Sequence, residues 1–223
     1  MGQYTSSKLL DTGGLYDFLP AAECPNAIRG NVSGAFGGTD LAAWTKDECG
    51  YYKIPLNGSD DEVTFDNVVP ACGLLKLWLH AVVRFDTTAG EQYIYRQYQG
   101  ANDIFSLKID TNARIDMYCE TGGNTARAYS AANMHSAKIC QIDAFIDLTS
   151  VTGLQLFCDG IEATYGAQQD PTGLSEIGNT GNFTIGHDPN SMDGGFFCGF
   201  VATYIPSPVV LSQLLNTVFT EVQ

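Results

Sequence analysis

Apolar and polar residues alternate along much of this chain with the two-residue period of β-strands. The clearest case is 74–85: Leu75, Leu77, Leu79, Ala81, Val83 and Phe85 fall on one parity, and Lys76, Trp78, His80 and Arg84 on the other. A strand buried on the first parity is predicted there, and a second over 62–69. Strand-like segments at 92–98, 104–109, 114–119 and 126–130 follow at short intervals. Turn chemistry separates them: Gly100-Ala101-Asn102-Asp103, Asp110-Thr111-Asn112 and Thr121-Gly122-Gly123-Asn124. Connections that short join antiparallel neighbours, whereas parallel pairs need a long crossover. The pattern predicts an antiparallel meander. Further strands are expected over 138–148 and 154–158, then around Phe183 and from Phe196 to Tyr204. Asp159-Gly160 tolerates the positive φ of a tight hairpin, so the chain should reverse there. Residues 1–35, irregular and rich in Gly, Ser and Ala, are expected to be an N-terminal arm or edge segment beside one domain over 36–223. Only the end reads helical: Leu211, Leu214, Leu215, Val218 and Val222 recur at helical spacing after Ser207-Pro208.

Three phrases stand in a fixed order: Leu154-Gln155-Leu156-Phe157-Cys158-Asp159-Gly160, then Phe183-Thr184-Ile185-Gly186, then Phe196-Phe197-Cys198-Gly199-Phe200. This order resembles the laminin-G / concanavalin A-like jelly-roll family. Trp78 in the strand at 75–84, Tyr93-Ile94-Tyr95-Arg96, Phe105-Ser106-Leu107 and the Leu211–Leu215 turn extend the resemblance over about residues 60–215. One departure is Ser136-Ala137-Lys138-Ile139-Cys140, where the family often has Lys-Trp-His-His. The resemblance implies an all-β antiparallel sandwich with a short C-terminal helix. It also implies that the usual work is binding, with calcium on rim loops in many members.

Composition narrows the partners. The 223 residues suffice for one large sandwich, and no apolar run is long enough for a membrane-spanning helix. A net charge of −14, with only 11 scattered Lys and Arg, argues against nucleic acid and anionic membranes. An acidic surface serves solubility, or faces calcium or a basic protein. The seven cysteines at 24, 49, 72, 119, 140, 158 and 198 show no metal-ligand spacing. Mostly reduced thiols are expected, with one disulfide around Cys24 and Cys49 left open. The first residues lack the basic-then-apolar pattern of a secretory leader. Gly2 with Ser6 fits a myristoylation pattern that requires removal of Met1. Sequons at Asn31, Asn57 and Asn182 matter only in a secreted chain.

No catalytic set is expected. Asp143 and Asp147 share a parity and read as a solvated strand face. His80, His135 and His187 stand without a Gly-x-Ser-x-Gly turn and read as ordinary satisfied histidines. In the Gly-rich stretch 186–195, Asp188, Asn190 and Asp193 are the candidate calcium ligands, although the same residue types also build plain turns. Tyr93, Tyr95, Tyr98, Tyr118 and Tyr129 are available for sugar stacking, with Tyr93, Tyr95 and Tyr118 the candidates, and their alternation fits cross-strand packing as well. The expected function is a non-enzymatic binding or assembly module. Its expected setting is a virion, as a homo-oligomeric bacteriophage head-decoration or tail-associated protein among capsid or tail proteins. A free carbohydrate-binding lectin domain, extracellular or at a cell surface, is the alternative, and a glycoside hydrolase or polysaccharide lyase the third reading.

Overall fold

Two antiparallel sheets pack face to face, because nearly every strand carries one apolar parity that has to leave water. The computed structural model describes residues 15–18, 27–28, 32–33, 35–38, 45–46, 52–65, 74–99, 102–177, 181–187 and 189–203. The expected C-terminal helix, together with Cys24, Cys49, Cys72 and Asp188, lies outside them. In chain order the strands are β1 (Leu15–Phe18), β2 (Ala27–Ile28), β3 (Val32–Ser33), β4 (Ala35–Gly37), β5 (Thr45–Lys46) and β6 (Tyr52–Asn57). Next come β7 (Glu62–Phe65), β8 (Lys76–Phe85), β9 (Gln92–Gln99), β10 (Asn102–Ile109), β11 (Arg114–Thr121) and β12 (Asn124–Asn133). The series ends with β13 (Ile139–Asp147), β14 (Leu154–Cys158), β15 (Ile161–Glu162), β16 (Tyr165–Gln168), β17 (Asn182–Gly186) and β18 (Asp193–Ala202).

One sheet has eight strands in the order β16-β12-β11-β10-β9-β17-β7-β4, so the predicted meander β9 to β12 is intact. Among the described residues the other has ten, with the path β15-β14-β13-β8-β18-β1-β2-β3, β6 beside β18 and β5 beside β6. The predicted hairpin joins β14 to β15, with Asp159 at φ 52° and Gly160 at φ 76°. Residues 15–33 supply three strands to the ten-stranded sheet, β1 lying against β18 from Leu15↔Ala202 to Phe18↔Gly199.

The inner parities fill the core: Leu77, Leu79, Ala81, Val83 and Phe85 of β8 meet Phe105, Leu107, Met117 and Phe183 from the facing sheet. Phe183 sits among Tyr95, Phe65 and Phe105, at ring distances of 5.6, 5.8 and 6.0 Å. Leu75, expected on the buried parity, precedes the strand and is 49% exposed.

The second parity of β8 corrects another expectation. Trp78 and His80 are buried, and so is Asp143 of β13, which had read as solvated. Register explains it: Asp143 lies directly opposite His80, and Phe145 opposite Trp78. Asp143 Oδ1 accepts from Trp78 Nε1 and His80 Nδ1, both at 2.8 Å, and Oδ2 accepts from Gln141 Nε2 at 2.7 Å. A carboxyl group can be withdrawn from water only if its lone pairs are met in this way. Phe200 stacks on the His80 ring at 4.7 Å, and Trp78 stacks on Phe145 at 5.3 Å.

Two further features tie the sandwich together. Tyr95 reaches across from the eight-stranded sheet, and its hydroxyl donates to the His80 carbonyl at 2.7 Å. Only a glycine fits at 199, where a Cβ would stand 2.0 Å from that hydroxyl. At β14, the ladder positions left open by short β15 are closed locally. Leu156 N–H donates to Tyr165 Oη at 2.9 Å, while Gln168 Nε2 and Ala163 N–H donate to the carbonyls of Leu154 and Leu156.

Candidate functional site: the outer face of the eight-stranded sheet

The outward parity of this sheet is polar and aromatic, and strand register sorts it into rows. One row runs Arg127–Tyr118–Ser106–Arg96–Thr184–Thr64 across β12, β11, β10, β9, β17 and β7. The next runs Tyr129–Asp116–Lys108–Tyr93 across β12 to β9, then Gly186–Glu62 across β17 and β7. Irregular steps in the pairing of β9 with β10 bring Tyr93 opposite Lys108.

Cations and rings interleave along these rows. The Arg96 guanidinium lies 4.9 Å from the Tyr93 ring centre and 5.0 Å from that of Tyr98, while Lys108 Nζ lies 5.0 Å from Tyr93. Arg114 and Arg127 both approach Tyr129, at 4.0 and 5.2 Å. Carboxylates neutralise them. Arg127 grips fully buried Asp116 through two bonds of 2.8 and 2.7 Å, and Lys108 meets Glu91 at 2.7 Å. Arg114 holds Asp110 through Nε and Nη2. Burial pushes the Asp110 carboxyl up, but the Arg114 side chain and the N–H groups of Arg114 and Asn112 outweigh it and hold the group below its ordinary range. Bonding to Asp116 likewise raises Arg127.

Tyr98, Tyr118 and Tyr129 are half-buried, each leaving part of its surface to solvent. Tyr118 donates to Glu120 at 2.5 Å. At one border, nearly buried His187 meets the Tyr93 ring edge-on at 5.6 Å and lies 4.7 Å from Tyr98. Its Nδ1 is 3.3 Å from Glu62 Oε2, a close approach without hydrogen-bond geometry.

The sequence-derived candidates divide. Tyr93 and Tyr118 share this face, but Tyr93 is only 6% exposed and works as packing under Arg96. Tyr95 is fully buried and points into the sandwich, so it offers no face to a sugar. That corrects its assignment: the irregular step after Leu107 and the bond to His80 put it on the inner parity. Of the calcium candidates, Asn190 accepts from Tyr93 N–H through its backbone at 2.8 Å. Asp193 opens β18 opposite Asn57, and its carboxyl is raised by burial and then by neighbouring Asp86. Among the described residues, no three His, Cys, Asp or Glu side chains form a metal-holding group. The role of Arg96, Arg127 and Asp116 was missed. Their parity with Tyr98, Tyr118 and Tyr129 was the available signal, because alternate residues share a face.

No protein-family model matches this chain, and neither does any curated protein. Solved structures do. The receptor binding domain of botulinum neurotoxin C/D mosaic serotype superimposes with a TM-score of 0.67 at 11% identity, over 91% of this chain and 50% of that one. The binding domain of botulinum neurotoxin DC in complex with SialylT gives 0.68 at 9%, over 96% and 52%. Domain 4 of AbnA, a GH43 extracellular arabinanase from Geobacillus stearothermophilus, in complex with arabinotriose, gives 0.60 at 12%, over 90% and 97%. The likeness is one of fold. This chain spans about half the length of the toxin domains it matches.

Proposed function

We propose that this chain is a non-enzymatic binding module that takes a carbohydrate on the outer face of its eight-stranded sheet. The observation that carries this reading is the set of half-buried rings of Tyr98, Tyr118 and Tyr129, held rigid among paired ions. Rings of that kind stack on sugar faces at little entropic cost, and half-buried Glu120 beside Tyr118 can accept a hydrogen bond from a sugar hydroxyl. The fold's likeness to domains solved in complex with arabinotriose and SialylT supports the reading, as does the order of lectin-like phrases in the sequence. Binding is favoured over hydrolysis because the Arg114 clamp holds the Asp110 carboxyl below its ordinary range. A glycosidase acid needs the opposite, a carboxyl kept protonated.

The test is a glycan panel followed by titration of the best binder. Tyr118→Ala should weaken binding roughly two- to twelvefold, as expected for loss of one ring worth about 0.5–1.5 kcal/mol, with an unchanged urea midpoint. An unaffected Kd would place the site elsewhere, and cleavage of the bound glycan would refute the non-enzymatic reading.

The setting we propose is a virion surface, with capsid or tail proteins as partners and self-association in solution. An adhesion face on one sheet leaves the ends of the sandwich for attachment. Purified particles lacking this chain would sink that part.

A further inference from the structure

We infer that the ligand of this face is an uncharged oligosaccharide laid across the strands, an inference that rests on the glycan-binding reading above. Holding a sugar acid requires a cation with donors to spare. The cations of this face are committed. Lys108 is taken by Glu91, Arg114 by Asp110 and Arg127 by Asp116. Arg96 lies between Tyr93 and Tyr98 and has a further partner as well. Drawing Arg127 onto a ligand would leave the fully buried carboxylate of Asp116 uncompensated, which is costly. The −14 charge of the whole chain adds a field that repels polyanions on approach. Neutral sugars meet no such obstacle, since their hydroxyls can donate to half-buried Glu120 without displacing any of these pairs.

Size follows from the strand positions of the rings. Tyr98 stands on β9, Tyr118 on β11 and Tyr129 on β12. Three strand spacings, about 14 Å, separate the outermost pair across the sheet, and the two rings also stand in different rows along the strands. A single sugar cannot touch both ends of that span, so the chain of sugars has to run across the strands.

The experiment uses the full chain on printed neutral oligosaccharides, their monosaccharides, and matched sialylated, sulfated and uronic-acid-bearing versions, at low and high salt. The expected result is retention on neutral oligomers, with weaker binding to charged versions that is worst at low salt. The surface variant Glu91→Gln releases Lys108 and should improve binding of the charged versions roughly two- to fivefold. Charged versions bound as well as neutral ones would overturn the charge assignment and leave the binding reading standing. Monosaccharides bound as tightly as oligomers would overturn the cross-strand placement alone. Retention of no glycan at all would overturn both this inference and the reading beneath it.

Discussion

Replacing Asp143 by alanine removes one acceptor group and strands three donors at once. Trp78 Nε1, His80 Nδ1 and Gln141 Nε2 all point at this carboxyl, and their residues are no more than 3% exposed, so water cannot take its place. Each buried donor left unmet costs about 1–3 kcal/mol. The three share one centre and will not add fully, so we expect a total loss of about 3–5 kcal/mol. For a chain of this size that corresponds to a drop in Tm of roughly 6–20 °C. The assay is urea unfolding followed by far-UV circular dichroism, with an unchanged m-value as the sign that only stability moved. Asp143→Asn is the control. Its amide oxygen still accepts from Trp78 and His80, and Gln141 can turn its unbonded Oε1 toward the new amide nitrogen. The asparagine variant should therefore lose markedly less than the alanine one. A loss below about 1 kcal/mol for alanine would refute the reasoning, because it would mean these donors find other partners.

Three more outcomes follow from the geometry. Tyr165→Phe deletes the acceptor of Leu156 N–H and should cost about 1–2 kcal/mol in urea unfolding. Gly199→Ala would drive a methyl group to 2.0 Å from Tyr95 Oη, so an overpacking loss of about 2–3 kcal/mol should appear in the same measurement. Asp110 is lowered in the folded state, so its contribution is present above the unfolded value near about pH 4 and is lost as pH falls through the folded value. Comparing urea midpoints at about pH 5 and about pH 3, Arg114→Gln should flatten that acid loss, whereas an equal slope in both proteins would dismiss the pair as a source of it.

Much of the sandwich was legible because strand parity is a local property. The strands from β8 to β14, with β17 and β18, and the Asp159-Gly160 hairpin all lie where alternation and turn residues put them. What parity cannot say is whether a second face is also covered. His80 and Asp143 therefore read as ordinary outward residues, although strand pairing places them opposite one another and out of water. Tyr95 was misread for a related reason: an irregular step in the β9–β10 pairing moves a residue across the sheet without leaving a mark in composition. The Arg127–Asp116 pair beside Tyr129 was hidden because its members meet only through register between β11 and β12, and the Arg114–Asp110 pair because four residues of turn chemistry do not show which way the side chains close. The short strand β16 (Tyr-Gly-Ala-Gln) carries a glycine, a small alanine and a polar glutamine among four, too little apolar alternation to announce itself.

The placement of the last two strands has a consequence for how the chain is made. β17 lies between β9 and β7, and β18 runs beside β8 with β1 and β6 on its other side, so each completes the interior of a sheet rather than an edge. During synthesis, everything up to β16 can emerge from the ribosome while both sheets still have a gap. Until residues 182–202 arrive, β7, β8 and β9 each lack the neighbour that β17 or β18 provides. Contacts so distant in sequence make folding slow and leave open strands exposed to other chains meanwhile. The nascent protein should therefore depend on chaperones late, and truncation before Asn182 should yield aggregates rather than a smaller sandwich.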